Sequence, residues 1–194
     1  MSSFSDVSID AQTARALQRG DRAAQAEAYR LLSPVVMGMA VRMLRDRGLA
    51  QEVMQDTFVE LIERADTLRS PDAVVGWVRK VAVNHCLMRM RSPWLQRRVD
   101  SEVEDGADGM QDGARVEGVQ DIERALESLA PETRMVVWLH DVEGYTHKEI
   151  GTLMGRTTSF SKSQLTRGYA KLLDQFGGEN ERENVTSIRP ACTT

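Results

Sequence analysis

Apolar positions recur with helical spacing along most of the chain, and the alternating apolar–polar runs of a half-buried strand are nearly absent. Residues 11 to 32 predict a first helix, with Ala14, Leu17, Ala24 and Ala28 among its smaller apolar positions. Ser33-Pro34 then supplies a start for a second helix, because proline is tolerated in a first helical turn. Val35, Met39, Met43 and Leu44 form its buried stripe, and the chain is expected to break around Gly48. From about Leu49 to Arg64 a third helix puts Met54, Phe58, Leu61 and Ile62 on one face, with Gln51, Glu52, Gln55, Asp56 and Glu63 on the other. Ser70-Pro71-Asp72 reads as a turn or cap. A fourth helix from about Ala73 to Met90 turns Val74, Val78 and Val81 inward, and Trp77 lies beside them.

The stretch from Asp100 to Gln120 is rich in Gly and Asp, lacks periodicity and exceeds the usual loop length inside a compact domain, so it reads as an interdomain linker. Beyond it, Ile122, Ala125, Leu126 and Leu129 share a helix face. Pro131 opens the next helix, whose Met135-Val136-Val137-Trp138-Leu139 run predicts burial on nearly all sides. The most informative pattern is Tyr145 to Leu172. Thr146 and Glu149 have capping-box spacing, Ile150, Leu153 and Met154 give a short apolar face, and Gly155 suits the left-handed end of a helix. Thr157, Thr158 and Ser159 offer a second N-cap. The helix that follows keeps Leu165 and Leu172 inward and Lys162, Arg167 and Lys171 outward, which makes a helix-turn-helix with a basic second helix. The tail from Gly177 is polar. The fold class expected is all-α, as two small bundles over 11–98 and 121–176, with an acidic linker over 99–120 and a tail over 177–194.

A hydrophobic content of 41% and a charged content of 28% in 194 residues are those of a soluble globular protein. No apolar run approaches the roughly 20 residues of a membrane span, and the polar MSSFSDVSID start is no signal peptide; a cytoplasmic protein without membrane insertion is expected. Cys86 and Cys192 are too few for a disulfide framework or a zinc site. His85, His140 and His147 fall in no metal or nucleophile motif, and no Gly-rich phosphate loop is present, so no enzyme activity, metal or cofactor is expected.

Charge sharpens the picture. A net charge of −4 argues against a protein that binds DNA unaided. Yet Ala73 to Val99 contains no acidic residue and carries Arg79, Lys80, Arg89, Arg91, Arg97 and Arg98, whereas the linker that follows is strongly acidic. Basic patches on an acidic chain point to DNA contact assisted by another protein.

The order of these elements, and the segments AQEVMQDTFVELIE, GWVRKVAVNHCL, LESLAPETRMVVWLHDVEGYTHKEIGTLMG and KSQLTR, resemble bacterial RNA polymerase sigma factors of the extracytoplasmic-function group, the two-domain members of the sigma-70 family. The resemblance runs from about Ala11 to Leu172 and implies core RNA polymerase and promoter DNA as partners. It places Gln51, Glu52, Gln55 and Asp56 on the face that docks on the polymerase clamp. It assigns Leu68, Arg69 and Ser70 to the loop that captures a flipped −10 base, and Asn84 to the lining of that pocket. Trp77 matches a Trp of the same helix, with packing an equal reading, and Arg79, Lys80, Arg89 and Arg91 would meet the DNA backbone there. At the −35 element, Ser159, Lys162, Ser163 and Arg167 would make base or near-base contacts. Arg156, Thr157 and Thr158 would bind phosphate at the helix start, and Lys171 would reach phosphate or solvent. The linker acids read equally as a nucleic-acid mimic or a solubilising tether.

Departures from the family pattern carry expectations of their own. Leu49-Ala50-Gln51-Glu52 stands where an acidic cluster is usual, so Thr57 becomes a candidate phosphorylation site that would restore negative charge, with a Ser/Thr kinase or an anti-sigma protein as regulator. Met88 replaces a common Asp. Ser161, Gln164 and Gly168 depart from the usual recognition helix and are expected to weaken its local core, Gly168 by roughly 1 kcal/mol against Ala. The competing reading is a stand-alone helix-turn-helix regulator that binds DNA without polymerase.

Overall fold

The computed structural model describes residues 4–68, 70, 73–92 and 124–176. Among them every regular element is helical: α1 (Ala11–Gln18), α2 (Arg22–Leu44), α3 (Arg47–Arg64) and α4 (Ala73–Met90), then α5 (Pro131–Val137), α6 (His147–Met154) and α7 (Thr158–Phe176). Single turns precede α1 and follow α3, and residues 124–127 form a helical turn ahead of α5. The linker, the 177–194 tail, Ile122, Arg97, Arg98, Cys192 and Pro71-Asp72 lie outside the described residues.

The first break falls elsewhere than expected. Gly20 takes a positive φ of 77° and Asp21 caps α2 by accepting from the Ala24 N–H at 2.9 Å, so one predicted helix becomes two. From there α2 runs through Ser33-Pro34 without a restart. Pro34 leaves the Arg30 carbonyl without its helical donor. Buried Leu32, Val35, Val36 and Met39 flank that defect and hold the helix through it. Burying such side chains contributes about 1.5–3 kcal/mol each. The second break precedes Gly48: Arg45 ends α2 in the left-handed region at φ 54°, and Asp46 caps α3 through the Leu49 N–H.

The inner face of α3 is also shifted. Ala50, Val53, Thr57, Phe58 and Leu61 are buried, Met54 is half-buried, and Ile62 is 52% exposed. Thr57 passes as a core residue because its hydroxyl donates back to the Val53 carbonyl at 2.7 Å, which satisfies it inside the helix. In α4, Val74, Val78 and Val81 are buried as expected, and Trp77 packs half-buried on the same core.

Helix α2 packs against α3 and α4, and α1 closes the bundle. In the second unit Ala125, Leu126 and Leu129 are buried, as is the whole Met135–Leu139 run, which wraps into a wider turn over Trp138–Val142. The two units touch, α2 on α5 and α4 on α6.

Gly168 reverses an expectation. A Cβ there would stand 2.6 Å from Val137 Cγ2 and 3.2 Å from Thr133 Cγ2, so glycine is what lets α7 lie against α5. Gly168→Ala should therefore lower stability by about 1–3 kcal/mol through overpacking, despite alanine's better helix propensity. Urea unfolding of Gly168→Ala, alone and with Val137→Ala, checks the sign. A more stable single variant would show that the helices do not approach this closely.

Candidate nucleic-acid interface

The turn between α6 and α7 is built from local hydrogen bonds. Thr146 Oγ1 accepts from the Glu149 N–H, and Glu149 Oε2 accepts from the Thr146 N–H at 2.8 Å, completing the capping box. Gly155 takes φ 65°, and the Arg156 N–H donates to the Gly151 carbonyl at 2.8 Å. A Cβ on Gly151 would come within 3.0 Å of the Arg156 carbonyl oxygen, so this glycine admits the returning chain. Of the three hydroxyls expected to cap α7, Thr157 does so, accepting from the Phe160 N–H at 3.1 Å.

The inner face of α7 is polar and satisfied. Ser161, Gln164, Leu165 and Gly168 are buried. Ser161 Oγ lies 3.0 Å from His147 Nδ1, and Gln164 Oε1 accepts from Thr133 Oγ1 at 2.7 Å. Paired buried polar groups fix one arrangement of two helices where an apolar contact would tolerate sliding. The residues read as weakening this core instead specify how α7 sits.

That seating decides what faces out. Arg156, Thr157, Thr158, Ser159, Lys162, Ser163, Arg167 and Lys171 are all exposed. Arg156 pairs with Glu132 at 3.2 Å and lies over the Phe160 ring, and Lys171 donates to the Ser128 carbonyl. Thr158, Ser159, Lys162, Ser163 and Arg167 remain, two cations and three hydroxyls on the exposed side of α7, suited to base edges and phosphates in a major groove.

On α4 the expected −10 residues divide. Lys80 and Asn84 are exposed at i and i+4, with half-buried Trp77 before them and Met88, 60% exposed, one turn on. Met88 was legible in the sequence only as a departure, although its i+4 spacing from Asn84 puts it on this stripe. The cations Arg79, Arg89 and Arg91 are engaged within the protein. Arg79 donates to the Glu143 carbonyl at 2.9 Å and lies over the Tyr145 ring, Arg91 donates to the Leu153 carbonyl at 2.8 Å, and Arg89 pairs with Glu52 and Asp56. Leu68 is buried and its carbonyl accepts from Gln18 Nε2, Ser70 is half-buried, and Arg69 lies outside the described residues.

The expected polymerase face of α3 presents exposed Gln51, Glu52 and Gln55, with Asp56 half-buried. Val59 and Ile62, 54% and 52% exposed, extend it. They are the large apolar residues that the sequence pattern placed inside or left unassigned. Thr57 is at odds with its expected role: it is fully buried and its hydroxyl is bonded to the Val53 carbonyl of its own helix, so a kinase cannot reach it while α3 is packed in the bundle. His85 sits beside Glu60, with Nε2 3.2 Å from Oε2, as a packed histidine rather than part of a ligand set. Among the described residues no group of His, Cys, Asp and Glu could hold a metal ion, and no helix is long and apolar enough to cross a membrane.

Comparison with known proteins places this arrangement. Residues 28–98 match the family model for Sigma-70 region 2, and residues 119–172 match that for Sigma-70, region 4. The chain is 29% identical over 150 residues to the RNA polymerase sigma factor CarQ of Myxococcus xanthus, covering 75% of this chain and 84% of the relative. It is 27% identical over 176 residues to the ECF RNA polymerase sigma factor SigM of Mycobacterium tuberculosis, covering 91% and 89%. In fold it resembles the sigma factor RpoE of Bartonella quintana, solved with the anti-sigma factor NepR, at a TM-score of 0.55 and 18% identity over 80% of this chain and 98% of that one. CnrH, solved with the cytosolic domain of CnrY, gives a TM-score of 0.51 at 19% identity over 88% and 99%.

Two outcomes follow from the geometry. His147 is held below the ordinary histidine pKa by burial first, then by the His140 ring stacked at 4.6 Å and by Lys162, with Asp141 opposing. Between that lowered value and 6.5 the unfolded chain binds more protons than the folded one, so stability should fall as pH is lowered through this window. His147→Gln should flatten the slope in thermal unfolding at several pH values, and an unchanged slope would remove His147 as its source. Thr57→Glu buries an unpaired carboxylate and should cost about 3 kcal/mol or more in urea unfolding; a stable variant with tighter polymerase binding would reinstate Thr57 as a charge switch.

Proposed function

Because the chain belongs to the sigma-70 family, in its extracytoplasmic-function group, we infer which of its surfaces carries each step of initiation. As a sigma factor it binds core RNA polymerase and directs promoter recognition for transcription initiation. We assign residues 11–98 to clamp binding and the −10 element, 121–176 to the −35 element, and 99–120 to the connection between them. The exposed face of α3, from Gln51 to Gln55 and on to Val59 and Ile62, would dock on polymerase. Lys80, Asn84 and Trp77 on α4 would hold the opened −10 strand, one supplying charge, one amide hydrogen bonds and one an aromatic wall. Lys162, Ser159, Ser163 and Arg167 on α7 would read the −35 element, with Arg156, Thr157 and Thr158 on its phosphates.

The observation that supports the assignment is the exposed stripe of Lys80, Asn84 and Met88 on α4. A stand-alone regulator has no need of Lys80 and Asn84 aligned in solvent on a helix outside the helix-turn-helix. The bond-making chemistry then belongs to the polymerase and the place of action is the cytoplasm. Of the two regulators considered, the burial of Thr57 counts against a kinase acting there. The complex of one relative in fold with the anti-sigma factor NepR, and that of another with the cytosolic domain of CnrY, support a protein partner as regulator.

Run-off transcription with core polymerase on a pool of promoter fragments tests the reading. New start sites should require the protein. Lys162→Ala and Arg167→Ala should each lose about 1–3 kcal/mol of −35 affinity, and Asn84→Ala should slow strand opening while leaving duplex binding intact. DNA binding by the protein alone, without polymerase-dependent starts, would instead establish the regulator.

A further inference from the structure

We propose that the cleft framed by the ends of α2, α4 and α6 and by α5 and α7 binds a phosphorylated small molecule of the nucleotide class, with guanidinium groups on its phosphates and thioethers on its base. No step of the promoter assignment above needs a ligand there.

The cleft encloses about 650 Å³, a size usual for sites that take small organic ligands. Its lining is of two kinds. Four arginines, Arg91, Arg134, Arg156 and Arg167, stand against one carboxylate, Glu132, which Arg156 already holds at 3.2 Å. Met43, Leu44, Met90 and Met154 supply the apolar part. Unbranched thioethers fit themselves to irregular or flat partners, and their sulfurs make favourable contacts with aromatic rings.

Arg134 is the residue that a purely structural cleft leaves unexplained. It lies in the first turn of α5 and is 5% exposed. Its Nη1 donates two long bonds, to the Glu127 and Leu129 carbonyls at 3.4 and 3.3 Å, and its Nε has no acceptor. Burial, and then the nearby Arg45 charge, push its pKa down to about 10, with Glu127 opposing. A guanidinium has five N–H donors, and two neutral carbonyls at the limit of bonding distance do not offset the cost of burying its charge. An anion in the cleft would. Gln164 adds to the donor set, because its oxygen accepts from Thr133 Oγ1 and its amide nitrogen is left to donate.

The two linings together select the ligand. Arginine takes phosphate oxygens through paired, charge-assisted bonds, and several guanidiniums suit a di- or triphosphate better than a single anion. A bare anion would leave the methionines facing water, and an apolar chain would leave the arginines without acceptors. Duplex DNA would reach Arg156 and Arg167, which are exposed, but not Arg134 or the 1%-exposed Met43. That difference in depth separates a small-molecule site from the −35 surface.

ATP labelled on its ribose with a fluorescent N-methylanthraniloyl group, titrated into the full chain, is the probe. Saturable binding is expected, with unlabelled ATP displacing the probe about 10-fold more effectively than pyrophosphate or adenosine alone. Arg134→Met, matched in length but uncharged, should weaken binding roughly 10–100-fold. Arg134→Lys keeps the charge without the planar fork and should fall between the two, which covers the case in which Arg134→Met unfolds. Lys162→Ala, outside the cleft, should leave probe binding unchanged. No saturable binding by the native protein up to about 1 mM, or unchanged binding by a folded Arg134 variant, overturns the proposal. Pyrophosphate competing as well as ATP overturns the nucleotide assignment. Random duplex DNA displacing the probe as well as ATP does, or loss of probe binding in Lys162→Ala, would make the cleft part of the DNA surface and overturns it too.

Discussion

The close approach of α7 to α5 is the constraint on which the C-terminal unit depends. A helix that must present a defined row of side chains to a groove has to be fixed in rotation as well as position. Here Gly168 allows contact with Val137 and Thr133, and the Gln164–Thr133 and Ser161–His147 pairs set the rotation. A face of leucines would bury more apolar area but would tolerate a small turn about the helix axis. Such a turn would carry Lys162 and Arg167 off the outer ridge. The polar inner face trades some hydrophobic stabilisation for register, and each buried polar atom in it that forms a pair avoids the 1–3 kcal/mol cost of being left unsatisfied.

Much of this organisation is legible in the sequence. Residue types with a single strong physical meaning translated directly. Gly155, Thr146 with Glu149, and the valine stripe of α4 each stand where local chemistry leaves little choice. Pro34 misled because its local preference for a helix start was overridden by apolar packing on both sides of it, while Gly20 with Asp21 made the real boundary. On α3, Thr57 and Ile62 exchanged places relative to their polarity. A hydroxyl can hide by bonding its own helix backbone, and nothing in a single sequence announces that it will.

The outward row of α7 is legible as exposed, because charge and hydroxyl content mark solvent. Which cations are free was not legible. Arg79, Arg89 and Arg91 differ little in sequence context from Lys80, yet the first three reach acceptors across helices or across units and the lysine does not. Long side chains choose partners by tertiary geometry. A run of basic residues therefore states how much positive charge a surface can offer, and only the fold states how much of it is available.

Arg89 shows how far that distinction reaches. It joins Glu52 and Asp56, the acidic residues of the expected polymerase face, to the helix that carries the −10 stripe. On an acid-poor α3 these two carboxylates are half of the expected docking set. A basic surface approaching them must either share them with Arg89 or displace it. Displacement would free a cation on α4 at the moment α3 is occupied, at a modest cost because the pair is partly exposed and worth about 1 kcal/mol or less. Arg89 therefore joins the expected polymerase face and the expected −10 face through one ion-pair network. Docking at one would then raise the positive charge available at the other, which would give an acidic chain a reason to meet DNA in the company of a partner.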